Sequence, residues 1–195
     1  IFVNKSLKNV LIAGTASGII SGLVKLGWEN IMPPRTPERD EVNPPQTFLQ
    51  QLGVPAEITQ STYKYSGHRM PWASFLIHFG FSVTFATTYA LALEKKMNWL
   101  TKKQGIPFGV AMWIAFHLVI MPAMKTIPSA KRQPLEEHLS EVLGHIFWMY
   151  TNHEVAKGNP INHQVLSQIM IDLYKKYYGL DITKEEVKQY VWAYI

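Results

Sequence analysis

The sequence predicts an all-α fold: an integral membrane four-helix bundle with a C-terminal soluble helical hairpin. Three observations lead there. Trp72–Leu93 and Gly105–Met124 contain no Asp, Glu, Lys or Arg. At about 1.5 Å rise per residue, each is long enough as a helix to cross about 30 Å of hydrocarbon. Charged residues make up 17% of the 195 residues and apolar residues 47%, below the roughly 25% charged typical of soluble domains. Finally, Leu135–Trp148 (LEEHLSEVLGHIFW) places Glu137, Glu141 and His145 at i, i+4 and i+8, with His138 three before Glu141, all four on one stripe of a helix. Leu139, Val142, Leu143 and Ile146 form its other side.

Composition excludes several chemistries. Cysteine is absent, which removes disulfides, thiolate nucleophiles and Cys-based metal sites. The net charge of +5 comes from basic residues between apolar spans, with no Lys/Arg patch interleaved with aromatics, so no nucleic-acid partner is expected. Mean hydropathy is only −0.03; the distribution, not the average, carries the membrane signal. The chain begins at Ile1, and the native start is expected upstream. No cleavable signal is read, and the first apolar span is expected to be retained.

Val10–Trp28 is that first span. Gly14, Gly18 and Gly22 recur every four residues, with Ser17 and Ser21 beside them. Small residues at this spacing let helix backbones approach closely in lipid. Packing within the chain is the favoured reading, and a homo-oligomer through Gly14, Gly18 and Gly22 is the other. Lys25 and Glu29, at i and i+4, are expected to pair, because an unpaired charge in a span costs about 2.5–3.5 kcal/mol. Residues 29–70 form a long polar connection. Pro33, Pro34, Pro37, Pro44, Pro45 and Pro55 forbid one continuous helix there, and Phe48–Leu52 reads as a short amphipathic turn.

Trp72–Leu93 is the second span, with His78 its one ionisable group. Glu94–Gln104 is a lysine-rich loop. Gly105–Met124 is the third span and holds His117. Leu135–Val155 is the fourth, and Glu136, Glu137 and Glu141 crowd its first turns. Residues 1–155 are thus expected to form the bundle, and 156–195 a cytoplasmic helical appendage. In the latter, Gln164–Tyr178 is amphipathic, Gly179 is a stop, and Thr183 with Glu186 forms a capping-box pattern, giving a helical hairpin whose apolar faces pack together or against the bundle.

Lys95, Lys96, Lys102 and Lys103 in the short loop place it inside by the positive-inside rule. With four spans, both termini are then cytoplasmic. His78, His117 and His145 all fall roughly 10–15 Å below the outer face. The expected polar centre is Lys25, Glu29, Arg35, His68, His78, His117, Glu141 and His145. Intramembrane ionisable groups are functional candidates by default. Histidines beside Glu141 suit proton binding. His78, His117, Glu141 and His145 also offer N/O ligands for a divalent metal such as zinc or iron, and a haem at His117 is a weaker alternative. The bland reading is polar glue between helices. No HExxH, Glu-x-x-His pair, phosphate loop or nucleophile elbow occurs; the balance is against an enzyme. A metal-dependent intramembrane enzyme and an assembly partner of a membrane complex are the rival classes.

Several pieces in order resemble the YagU-like family of small bacterial inner-membrane proteins, also called a domain of unknown function. They are the Gly-rich first span running into VKLGWE (Val24–Glu29), PPRTP (Pro33–Pro37), SGH (Ser66–His68) with Trp72, and HFGFSVTFA (His78–Ala86). QG (Gln104–Gly105), FH (Phe116–His117) and SEVLGHIFW (Ser140–Trp148) complete the set. The resemblance spans residues 8–155 and leaves out His138 and the 157–195 hairpin. It implies a plasma-membrane protein of several spans linked to survival at acidic pH, and supplies no catalytic residues.

Overall fold

Ser6 opens the first helix by accepting a hydrogen bond from the Asn9 amide, one of the donors a helix start leaves unpaired. Helix α1 (Leu7–Ile31) then runs for 25 residues, about 37 Å at the usual rise. The structure is a computed structural model and describes residues 6–65 and 68–193. The side chains of Asp40, Tyr65, His68 and Met70 also lie outside that description. The chain is 76% helical with almost no strand, hence all-α.

The proline-rich connection is more ordered than its composition predicts. It holds three short helices, α2 (Pro37–Asp40), α3 (Pro44–Gln51) and α4 (Ala56–Thr59). Prolines sit in the first turns of α2 and α3, where the missing N–H costs nothing. Asn43 and Gln46 close a reciprocal capping box on α3. Strands β1 (Thr62–Tyr65) and β2 (His68–Pro71) then pair antiparallel, Tyr63 opposite Met70. This hairpin was not expected from the sequence. Its Thr, Tyr and Met residues suit a pleated surface, but four residues per strand are too few for alternation to declare itself.

Helix α5 (Trp72–Glu94) follows, then α6 (Asn98–Thr101) inside the lysine-rich loop. The third apolar stretch begins as α7 (Ile106–Trp113), loosens into a π-helix over Ile114–Ile120, and ends as α8 (Met121–Ala123). Helix α9 (Leu135–Lys157) comes next. Among the described residues, the helices long and apolar enough to cross a membrane are Leu7–Ile31, Trp72–Glu94 and Lys103–Ala123. Helix α9 has the length, but Glu136, Glu137, Glu141, Glu154 and Lys157 lower its apolar content. It is instead the most enclosed long helix, burying Glu137, Ser140, Glu141, His145, Asn152 and Glu154 together with Phe147, Trp148 and Met149.

The glycine stripe of α1 receives α5. A Cβ at Gly18 would stand 2.6 Å from Val83 Cα, and one at Gly14 2.6 Å from Thr87 Cα. Gly22 meets Phe79. This is the within-chain packing, and α5 already covers that face. Ser82 of α5 donates to the Gly18 carbonyl at 2.6 Å and accepts the Trp148 indole N–H at 2.7 Å. One hydroxyl therefore ties three helices. Trp28 donates to the Ser140 carbonyl at 2.9 Å and packs on Phe147 with ring centres 5.0 Å apart. The start of α9 thus lies beside the end of α1.

The C-terminal elements are α10 (His163–Tyr178) and α11 (Lys184–Val187), the latter continuing as a π-helix over Lys188–Trp192. Gly179 in the left-handed region stops α10, and Thr183 with Glu186 forms the capping box before α11, as the sequence predicts. The Thr183 amide and hydroxyl hold the Glu186 carboxyl below its usual range. The apolar faces of these helices pack against the bundle, one of the two arrangements the sequence leaves open. Leu166, Met170, Val187 and Val191 share one core with Val24, Trp28, Ile31, Met32 and Phe147. A Cβ at Gly27 would stand 2.5 Å from Val191 Cα. The contact is with the end of α1 away from the N-terminus.

Candidate functional site

A cavity of about 270 Å³ opens between α1, α5, the π-helix and α9. Its floor is charged and its walls are apolar. Lys25 and Glu29 come from α1, Arg35 from the turn after it, His78 from α5, His117 from the π-helix, and Glu141 with His145 from α9. Seven of the eight residues expected from the sequence therefore line one space. The eighth, His68, lies in β2 with its side chain outside the described residues. Phe81, Phe116 and Trp148 form aromatic walls, and Pro44, Pro45 and Phe48 of α3 close one edge.

Glu141 is the centre. Its Oε2 lies 3.4 Å from Lys25 Nζ, 3.2 Å from His117 Nε2 and 3.8 Å from His145 Nδ1. Its Oε1 lies 3.7 Å from Arg35 Nη1. Lys25 also pairs with Glu29 one turn on. A buried carboxylate is tolerated only when paired and hydrogen-bonded; here Lys25 and Arg35 bring it charge and His117 stands 3.2 Å away, while His145 packs beside it. With neutral imidazoles, Lys25 and Arg35 balance Glu29 and Glu141.

Each histidine has a defined local role. His145 Nδ1 donates to its own helix at the Glu141 carbonyl, 2.8 Å away. Its Nε2 is then the acceptor in the neutral ring. The rings of His117 and His145 meet edge to face at 5.3 Å. His78 Nε2 donates to the Gly22 carbonyl at 3.1 Å, so it lines the cavity but fastens α5 to α1. A metal-compatible group within 4.8 Å comprises His117, Glu141 and His145, without His78. The fourth member of the ligand set expected from the sequence is thus held elsewhere by a backbone carbonyl. His138, expected on the same stripe, does not line the cavity and instead meets the Ala130 carbonyl at 2.9 Å.

The π-helix explains how His117 reaches Glu141. The Met121 amide bonds back to the Phe116 carbonyl, five residues earlier. The next donor in that register would be Pro122, which has no N–H. The His117 carbonyl, left without it, receives the Gln133 side-chain amide at 3.5 Å, and the same amide reaches Pro128 O at 2.7 Å. π-Turns of this kind concentrate at functional sites.

Sequence reasoning missed other members of this neighbourhood. Arg39 pairs with Glu137, and Ser74 donates to Asn43 at 2.8 Å. The Arg–Glu partners are far apart in sequence and carry no mutual spacing. The aromatic walls and the α3 edge were signalled only by Phe48 beside paired prolines.

The class defined by this fold and site is a helical, multi-span membrane protein with a charged pocket among its helices. The chain belongs to the family described as "Protein of unknown function (DUF1440)", whose model matches residues 19–154. It is similar to "Inner membrane protein YagU" of Escherichia coli (strain K12), with 27% identity over 179 residues, covering 77% of this chain and 85% of that protein. No solved structure matches the chain.

Proposed function

We propose that this protein is a bacterial inner-membrane protein that takes up protons at the His117–Glu141–His145 centre and so contributes to the response to acid. In this reading α1, α5, α7–α8 and α9 form a four-helix membrane bundle around the cavity. The short loop bearing Lys95, Lys96, Lys102 and Lys103 faces the cytoplasm, as does the N-terminus. The inner-membrane assignment rests on the relative's description, and the acid link on the family resemblance. The observation that carries the proton reading is the placement of two imidazoles on one buried carboxylate, at 3.2 and 3.8 Å. Unperturbed imidazoles change charge between pH 5 and 8, where no other side chain ordinarily does. Glu141 supplies a fixed negative charge beside both rings.

A divalent metal is the second reading, favoured by the same three side chains lying within 4.8 Å. The neighbouring charges argue against it. Lys25 Nζ stands 3.4 Å from the carboxylate oxygen a cation would take, and Arg35 approaches the other oxygen. Metal analysis of purified protein separates the two, because stoichiometric zinc or iron would favour the ligand reading and the enzyme class with it. The direct test replaces His117 and His145 by Gln, singly and together. Proton uptake by the purified protein after a pH jump and acid survival of cells should both fall. Unchanged uptake and survival at matched expression would sink the proposal.

A further inference from the structure

The polar groups of α9 do not stop at the cavity. Three helical turns beyond Glu141, Thr151, Asn152, His153 and Glu154 are buried in succession. Thr151 and Asn152 are fully enclosed, and Thr151 Oγ1 and Asn152 Oδ1 have no hydrogen-bond partner among the described residues. Buried polar atoms are normally paired, and each exception calls for a reason. Next along the helix, His153 Nδ1 meets the Tyr89 hydroxyl at 2.8 Å. Glu154 meets Asn159 at 2.8 Å and the exposed Gln104 at 3.3 Å. This second titratable group reaches the surface beside Lys102 and Lys103, at the far end of α9 from the cavity.

We infer that α9 carries a proton path, running from the His117–Glu141–His145 cavity past Asn152 to a second proton site at Tyr89, His153 and Glu154. The inference rests on the proton reading of the cavity and extends it from binding to passage. From Glu141 to His153 is about 18 Å along a helix, more than half of a hydrocarbon core of about 30 Å. Between the two clusters the neighbouring helices add hydroxyls. Ser82 bridges Trp148 and the Gly18 carbonyl, and the fully buried Ser17 and Ser21 donate to the Gly14 and Gly18 carbonyls of their own helix, each keeping oxygen lone pairs to accept with. Gly144 of α9 neighbours Lys25 and Trp28, and Glu141 pairs with Lys25. Continuing that antiparallel register brings Ser21 and Ser17 to the depth of Met149 and His153. Such a seam offers the two to four polar partners that a buried water requires.

The transfer needs no cofactor. A proton accepted at His145 Nε2 passes along hydroxyls and water to the Tyr89–His153 pair, and leaves through Glu154 to solvent. The groups facing this second site are Tyr89 from α5, the Thr101 carbonyl and Gln104 from the loop, and Glu154 with Lys157 from α9. Lys25 and Arg35 guard the first site and set its resting charge.

The experiment uses full-length protein in liposomes with a pH-sensitive dye inside and the membrane potential clamped by valinomycin and potassium. Wild-type vesicles should dissipate an imposed pH gradient several-fold faster than protein-free ones. Asn152→Leu, His153→Gln and Tyr89→Phe should each slow that rate several-fold, while proton uptake at the cavity in detergent stays at the wild-type level. Tyr89→Phe keeps the ring and so remains informative if Asn152→Leu misfolds. A wild-type rate equal to empty vesicles, or full rates in both Tyr89→Phe and His153→Gln, overturns the path. If cavity uptake persists in that case, the proton-binding reading survives alone; if uptake is also absent, both fall.

Discussion

Glu141 contacts four nitrogen-bearing side chains from three different parts of the chain. Removing its charge takes from the buried Lys25 and Arg35 the carboxylate they share and leaves Lys25 with Glu29. Breaking a buried ion pair from one side costs about 3–5 kcal/mol. Glu141→Gln should therefore lower unfolding stability in detergent by about that amount, measured by denaturant titration, and a change under about 1 kcal/mol would mean the charges are solvated. Much of this centre was legible. Lys25 and Glu29 are one turn apart, as are Glu141 and His145, and His117 is the lone ionisable group of an apolar stretch. His78 looked equivalent but is not, because its partner is the Gly22 carbonyl, and every residue has a carbonyl, so sequence cannot single one out. Arg39 escaped notice for a different reason: its partner Glu137 lies 98 residues away.

At the scale of elements, the α1–α5 contact is the clearest case of sequence dictating packing. Glycines every fourth residue leave a groove, and α5 comes close enough that Val83 Cα would lie 2.6 Å from a Cβ on Gly18. Gly18→Leu must push α5 away and loosen the Ser82 bond to the Gly18 carbonyl. Overpacking of this kind costs about 1–3 kcal/mol, so melting in detergent should fall, whereas Gly80→Ala, with nothing within 4 Å of its Cβ, should leave it unchanged. Equal melting of the two variants would contradict the close approach. The apolar stretches and both C-terminal caps were readable because their signals are local. The π-helix was not, since a register change leaves hydrophobic periodicity nearly intact. Nor was the 62–71 hairpin, which is too short for its pattern to outweigh the prolines around it.

For the whole molecule, the three apolar helices followed from composition, while the position of the C-terminal helices did not. Leu11, Ile12, Leu76 and Val119 are exposed on the apolar helices and suit contact with lipid. By contrast, the Val24–Met32 end of α1 is covered by Leu166, Met170 and Val191. That arrangement sets the C-terminal helices against the end of α1 that leads into the proline-rich segment. The chain contains no cysteine, so single cysteines can report sidedness without background. In intact cells a membrane-impermeant thiol reagent should modify Glu57→Cys and Tyr177→Cys alike, and spare Lys8→Cys and Lys102→Cys until the membrane is opened. Tyr177→Cys behaving like Lys102→Cys would return the C-terminus to the N-terminal side.

The Gln133 amide, standing in for the donor that Pro122 lacks, has an evolutionary consequence. The two positions are tied as a pair even though eleven residues separate them. A lineage that trades Pro122 for a residue with an N–H recovers its own ladder bond and is released from needing glutamine at 133. A lineage that loses Gln133 first strands the carbonyl of its histidine. Drift should therefore travel through position 122 before 133, so relatives retaining the glutamine without the proline should outnumber those with the reverse combination.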